Sequence, residues 1–150
     1  MHQSKFLWAT LFAFLTLFVS SQLFAQADVI EKRQKLMKGN SEAAKAIKSG
    51  AEAKDYATVE AKAKDIMGNA EKIPGLFPQG STAGKTKARA EIWEKSDDFA
   101  KKAKGLGKAA SELADAAKGG DGATVDVKVK ALSDACGGCH KAFRAEKYSE

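Results

Sequence analysis

Near its C-terminus the 150-residue chain contains the stretch Cys136-Gly137-Gly138-Cys139-His140. It uses both cysteines of the chain and the only histidine beyond His2. On a helix the two thiols and the imidazole fall at positions i, i+3 and i+4, so all three side chains point to one face. The two glycines disfavour a helix by about 1 kcal/mol each relative to alanine, but they let the backbone lie close to a flat ring. The stretch therefore predicts a helix that accommodates a flat group on one face.

The order Cys-x-x-Cys-His is the attachment signature of c-type haem. In that chemistry two thiols add to the two vinyl groups on one side of the porphyrin, and the next residue turns its imidazole under the iron. We therefore predict one covalent haem c. Cys136 and Cys139 would form the thioether bonds, and His140 would be an axial ligand of the iron.

Three other interpretations of this stretch are less favoured. A structural zinc site needs four ligands, and the chain offers only His2 in addition. A thioredoxin-type redox pair would lie at a strand-to-helix junction, whereas the sequence around Cys136 indicates a continuous helix. A disulfide between Cys136 and Cys139 would close a very small loop and stabilise the fold little.

The N-terminal segment has the pattern of a secretory signal peptide. A charged start precedes an apolar stretch at residues 6–19, and residues 25–27 have the A-x-A pattern of a cleavage site. We predict that residues 1–27 are removed, with cleavage after Ala25 or Ala27. The apolar stretch is shorter than the roughly 20 residues of a bilayer span, so we expect no stable membrane span, and an uncleaved anchor is the alternative. Haem c is attached outside the cytoplasm, which predicts a periplasmic location.

The remaining chain, residues 28–150, is predicted to form one all-α domain. It is rich in alanine and lysine, and its apolar residues recur every three or four positions in four segments. Segments rich in glycine and proline separate the four helices, at residues 49–50, 74–87 and 119–122. We therefore predict an antiparallel four-helix bundle with the covalent haem near the C-terminal helix, among facing side chains.

Local signals set the expected helix boundaries and core. The first helix should span residues 28–48, and Asp55 and Thr124 are candidate N-caps of the second and fourth helices. The apolar stripe of the third helix runs from Ile92 to Ala117. The apolar stripes that we expect to form the core include Tyr56, Val59, Ala63, Ile66, Ala70 and Ile73 in the second helix, Ile92, Ser96, Phe99, Ala103, Leu106, Ala110, Leu113 and Ala117 in the third, and Val125, Val129, Leu132, Cys136, Cys139 and Phe143 in the fourth.

Two polar residues interrupt the apolar face of the first helix. Arg33 and Asn40 both fall in the middle of that face. A guanidinium directed toward a core must meet an anion or reach water. A haem propionate would be a suitable anion, and the alternative is that Arg33 extends past the edge of the stripe to solvent.

The charge pattern indicates which binding partners the protein favours. The formal net charge is +6, with 25 Lys and Arg against 19 Asp and Glu. The lysines are spread over all helices rather than clustered with aromatic residues, so we expect no nucleic-acid binding. A modestly basic surface favours an acidic redox protein as partner. Because the carboxylates mostly alternate with lysines as on exposed helices, no catalytic group of residues is apparent, and we expect a carrier rather than an enzyme.

Four further features accompany this pattern: Glu31 to Lys38, with Arg33 and Met37 one turn apart; Ile73-Pro74-Gly75-Leu76-Phe77-Pro78; Glu91-Ile92-Trp93 with Phe99; and Cys136 to His140 followed by Phe143-Arg144. With them the sequence resembles the cytochrome c prime family, the class II c-type cytochromes, and most of all its low-spin cytochrome c-556 branch. The resemblance implies that His140 is the proximal ligand, that Arg33 contacts a haem propionate, and that Arg144 lies near His140. Arg144 could equally be a cation that is favourable at a helix C-terminus.

Met37 distinguishes two functions within this family. In the c-556 branch a methionine from this region ligates the iron, whereas five-coordinate members leave the distal face open to NO or CO. We expect a periplasmic monohaem cytochrome that carries single electrons, with Met37 as the distal ligand, and a gas-binding five-coordinate protein is the alternative. Met67 is expected to pack in the core. Both a monomer and a homodimer fit the resemblance, because family members associate through ordinary helix faces.

Overall fold

The computed structural model describes residues 3–82 and 84–147, and it describes side chains from Ala27 onward. Residues 1–2 and 148–150, which fall at the outer ends of the predicted signal peptide and of the predicted domain, lie outside the described residues. The helices are α1 (Gln3–Glu52), α2 (Tyr56–Lys72), α3 (Glu91–Glu94), α4 (Ser96–Gly119) and α5 (Gly122–Phe143). A single 3₁₀ turn covers Pro74–Leu76, and the described residues form no β-strand beyond an isolated bridge between Ala88 and Arg144.

Four long helices form the bundle, which confirms the predicted all-α fold. Helix α1 turns into α2 through three residues, and α4 turns into α5 through Gly120 and Asp121. Gly120 adopts a left-handed conformation with φ of 75°, which glycine tolerates without steric cost. Because these turns are short, each pair of helices is antiparallel. The longer connection at residues 73–90 joins the two pairs.

The core forms where the apolar stripes of the helices meet. In α2 and α4 the predicted stripe residues are buried, except for the half-buried Tyr56 and the exposed Ser96. In α5 the stripe is buried at Val125, Leu132 and Phe143. Its cysteines, Cys136 and Cys139, are only half-buried. The stripe of α5 therefore leaves part of its apolar face uncovered by protein.

Several predicted helix boundaries were wrong. Helix α1 extends back to Gln3 because residues 3–27 contain neither glycine nor proline to stop it. Helix α1 also continues through Gly50, which is buried against α2. A Cβ atom at this position would lie only 3.1 Å from Val59 Cγ2. Gly50 thus allows close packing of α1 on α2 rather than ending the helix. The third predicted helix is divided at Lys95, and Asp97 and Asp98 then occupy the first turn of α4, where negative charge is favourable.

The two predicted N-caps had different outcomes. The Asp55 carboxylate accepts a hydrogen bond from the Thr58 backbone N–H at 3.1 Å, which confirms it as the cap of α2. Helix α5 is capped by Asp121 instead of Thr124, because the helix begins at Gly122 and the Asp121 carboxylate reaches the Ala123 N–H at 3.2 Å. The Thr124 hydroxyl donates to the same carboxylate.

The signal peptide at residues 1–27 stays a prediction, since the structure describes residues 3–26 only as backbone. Among residues 27–82 and 84–147, whose side chains the structure describes, no helix is long and apolar enough to cross a membrane.

Candidate haem site

A cavity of about 680 Å³ lies between α1, the connection that follows α2, and the C-terminal end of α5. Its lining includes five of the six predicted site residues: Arg33, Met37, Cys139, His140 and Arg144. Helix α1 contributes Arg33 and Met37 from one face, because residues four apart lie one turn apart. The other three come from the last turn of α5 and the residue that ends it.

Cys136, the sixth predicted residue, lies one turn before Cys139 and outside the lining of this cavity. Both cysteines are free and half-buried. Burial raises the pKa of both thiols above the usual value. Cys136 and Cys139 thus sit on the apolar face of one continuous helix, and no strand precedes them among the described residues.

His140 lies at the surface side of the cavity, and the residue as a whole is exposed. Loss of hydration lowers the pKa of its imidazole, and the nearby Arg144 cation lowers that pKa further. A neutral imidazole keeps a nitrogen lone pair for a metal ion. Among the described residues, no group of three or more His, Cys, Asp or Glu side chains is placed to hold a metal ion by itself.

Arg33 is only 3% exposed, so its side chain does not extend to solvent. Its guanidinium donates from Nη1 to the Ser81 hydroxyl at 3.0 Å, and from Nη2 to the Ser81 carbonyl at 2.9 Å and the Thr86 hydroxyl at 2.7 Å. It also stacks over the Phe77 ring, 4.7 Å from the ring centre. Burial lowers the pKa of Arg33, yet a guanidinium remains charged. All three of these acceptors are neutral, so the positive charge persists at the wall of the cavity.

Three aromatic rings form an apolar wall of the cavity. The Phe77 and Phe99 rings meet edge to face with centres 4.9 Å apart, and the Phe99 and Phe143 rings do so at 5.2 Å. All three residues line the cavity. Trp93 supports this wall from outside, because its indole N–H donates to the Phe77 carbonyl at 3.1 Å and to the Pro78 carbonyl at 2.9 Å.

The connection after α2 is attached to both α1 and α5. Gln34 Nε2 donates to the Lys85 carbonyl at 2.7 Å. On the other side, the Arg89 N–H donates to the Phe143 carbonyl at 3.1 Å and the Ala145 N–H to the Lys87 carbonyl at 2.8 Å. The connection thereby joins the helix that carries Met37 to the one that carries His140.

Sequence reasoning missed Ser81 and Thr86. Both hydroxyl residues are buried, at 1% and 4% exposure, although they lie in a stretch of glycine, serine, threonine and lysine that is typical of an exposed loop. Their burial depends on Arg33, which is 48 and 53 positions away in sequence. The only signal in the sequence was Arg33 itself, a cation on an apolar face that required partners.

The residues around the cavity fit haem c. Aromatic and aliphatic side chains provide an apolar wall for the macrocycle, and a thiol and an imidazole line the same space. The described lining residues include the cations Arg33, Lys38, Lys87 and Arg144 and no aspartate or glutamate. These cations suit the two propionates of a haem, although Lys38 also pairs with Glu42 at 3.9 Å.

Comparison with known proteins agrees with this geometry. The sequence matches the family described as Cytochrome C' over residues 28–144. The chain belongs to the cytochrome c' family. It is 38% identical over 124 residues to cytochrome c-556 of Agrobacterium tumefaciens (strain II Chrys), covering 81% of this chain and 100% of that protein. It is 36% identical over 119 residues to cytochrome c' of Pararhodospirillum photometricum, covering 77% and 94%.

The fold comparison gives the same family. The crystal structure of cytochrome c' from Thermochromatium tepidum matches with a TM-score of 0.74 and 29% identity, over 81% of this chain and 97% of that one. The prediction of a c-type cytochrome with one covalent haem c is therefore confirmed at the level of the family. Because both c-556 and c' proteins are among the relatives, family membership leaves the coordination of the iron to be tested.

Proposed function

We propose that this protein is a periplasmic carrier of single electrons, with His140 as the proximal and Met37 as the distal ligand of the haem iron. Cys136 and Cys139 would hold the haem by thioether bonds. A haem with methionine and histidine ligands has a raised reduction potential, which favours electron transfer. The remaining residues of the site bind the group, orient it and exclude water.

The observation that carries the proposal is that Met37 and His140 line the same cavity from two different helices. Met67, the other methionine of the predicted mature chain, is half-buried against the core and does not line the cavity. A flexible thioether next to an apolar cavity can also be simple filling. In that case the distal face would be open to NO or CO, which is the competing function.

The two arginines would act on the propionates. The three described hydrogen bonds of Arg33 use three of the five N–H bonds of a guanidinium. The side chain also lines the cavity, so its remaining donors are available to a carboxylate there. Arg144 is exposed and begins the segment after α5, where it would meet a carboxylate at the rim. A cation held without a neutralising carboxylate attracts an anionic ligand.

The same cations support an acidic redox partner. Lys38, Lys87 and Arg144 line the cavity together with Arg33, and no described lining residue is acidic. An excess of positive charge around the place where electrons leave would speed the encounter with an acidic partner. The periplasmic location follows from the predicted signal peptide. Intact-mass measurement of the exported protein tests it, because loss of 25 or 27 residues is expected.

Optical spectra of the haem-loaded protein test the ligation. We expect a low-spin spectrum that CO does not change. The Met37→Ala variant should become high-spin and bind CO, while the matched control Met67→Ala should keep the spectrum of the unaltered protein. A high-spin spectrum of the unaltered protein that shifts with CO would replace electron transfer by gas binding.

A further inference from the structure

We propose that Arg33, Ser81 and Thr86 are positioning residues that hold Met37 toward the haem by clamping α1 to the connection that follows α2. The clamp consists of these three side chains. It acts on two described stretches of the connection, residues 77–82 and 84–90. The inference rests on the proposed function, because it concerns how the distal ligand is kept in place.

The clamp is a buried cation held by hydroxyl groups from two points of the connection. Arg33, Ser81 and Thr86 are 3%, 1% and 4% exposed. The planar guanidinium binds Ser81 through both its hydroxyl and its carbonyl, and binds Thr86 through its hydroxyl. A guanidinium presents its donors in a rigid fork, so these bonds fix the orientation of the connection as well as its distance from α1. Removal of an acceptor would leave a buried charged donor without its partner, which is costly.

The clamp lies next to Met37. Arg33 is one turn before Met37 on the same face of α1, and Thr86 and Met37 both line the cavity. The Phe77 ring, at the start of the connection, packs under the guanidinium at 4.7 Å and lines the cavity as well. The side chains around Met37 thus depend on the position of the connection relative to α1.

The far side of the connection is fixed to the helix that carries His140. Backbone hydrogen bonds join Arg89 to Phe143 and Ala145 to Lys87. The connection is therefore anchored on α5 by backbone hydrogen bonds and on α1 by the side-chain hydrogen bonds of the clamp and of Gln34. Loss of the clamp would free the α1 side first, because that side depends on side chains. Met37 would then leave the iron more often, and a competing ligand would bind in its place.

Haem-loaded variants test this inference. Ser81→Ala combined with Thr86→Val removes both hydroxyl acceptors. Thr82→Val alters an exposed threonine of the same connection and is the matched control. Thr86→Ser keeps a hydroxyl and should behave like the unaltered protein. The measurements are the rate of CO binding to the ferrous protein and backbone amide exchange of residues 77–82 and 84–90.

We expect CO to bind at least about tenfold faster to the double variant than to the control, as fits the loss of a hydrogen bond to a charged group. Exchange of the two stretches should rise in parallel, while amides of α2 and α4 keep their protection and show that the bundle is folded. Equal CO binding in the double variant and the control would overturn the positioning role and leave the proposed ligation intact. A high-spin unaltered protein would overturn both, because Met37 would then not be a ligand.

Discussion

The two ends of the bundle bury different kinds of side chain. At the closed end, where α1 turns into α2 and α4 into α5, aliphatic residues such as Val59, Leu113 and Val125 are fully buried. At the cavity end the buried residues include Arg33 and Ser81, and the apolar stripe of α5 continues through half-buried cysteines. The closed end packs aliphatic side chains against one another, whereas the cavity end has an apolar face and a charge arranged for a group that is not protein.

Substitutions at the two ends should therefore affect different properties of the protein. At the closed end close packing sets the cost of a change, because interiors have few voids and a lost methylene leaves a cavity. At the cavity end the buried side chains also form the wall of the haem site. A change there should therefore alter both the free energy of unfolding and the optical spectrum.

The largest effect on stability is expected from Leu113→Ala at the closed end. Leu113 is 0% exposed, so its truncation should lower the free energy of unfolding by about 2–5 kcal/mol. The optical spectrum of the haem should not change. Val127→Ala is the control, because Val127 is 66% exposed and its loss should cost less than about 0.5 kcal/mol. Denaturant unfolding followed by circular dichroism measures the free energy of unfolding of both variants. Equal losses would contradict the expected difference between a buried and an exposed position.

A smaller effect is expected from Phe99→Leu at the cavity end. The variant keeps an apolar side chain but loses edge-to-face contacts with Phe77 and Phe143. We expect a loss of about 1–2 kcal/mol, since each such contact contributes roughly 0.5–1.5 kcal/mol beyond burial. The haem spectrum should shift slightly as well.

A double-mutant cycle with Phe143→Leu isolates the contact between these two rings. The two substitutions should be non-additive by about 0.5–1.5 kcal/mol. Strictly additive losses, or a haem spectrum identical to that of the unaltered protein, would mean that the aromatic wall affects only stability, as residues of the closed end do.

Sequence patterns predicted the closed end better than the cavity end. The recurrence of apolar residues every three or four positions identified Val59, Ile66 and Leu113 as core, because regular helices repeat local rules. Asp55 was identified as a cap because a carboxylate before a helix satisfies a free N–H within three residues. Ser96 was wrongly placed in the core, since the period was extended across the break at Lys95.

At the cavity end the sequence identified which residues form the site but not which contacts they make. The Cys-x-x-Cys-His order and the anomalous Arg33 pointed to three of the residues that line the cavity, Arg33, Cys139 and His140, and the family resemblance added Met37 and Arg144. The partners of Arg33 could not be inferred, because Ser81 and Thr86 lie in an irregular connection whose path depends on long-range packing. Irregular backbone lacks a period, so its buried hydroxyls look like those of an exposed loop until the fold is known.

The smallest expected effect concerns the cap of α5 at the closed end. The Thr124 hydroxyl and then the Ala123 N–H donate to the Asp121 carboxylate and lower its pKa below the usual value. A carboxyl group whose pKa is lower in the folded than in the unfolded state stabilises the fold at pH values above its unfolded pKa of about 3.9. That stabilisation is lost as the pH falls through the folded pKa.

Asp121→Asn tests this assignment, because asparagine also caps helices but does not titrate. At pH 6 the variant should have a slightly lower Tm than the unaltered protein, and the difference should shrink as the pH falls below about 3.9. Thr124→Val should weaken this pH dependence, because the hydroxyl is the main cause of the pKa shift. The haem spectrum at pH 6 should be the same in all three proteins, since the cap lies at the end of the bundle away from the cavity. A spectral change in either variant would mean that the two ends are coupled.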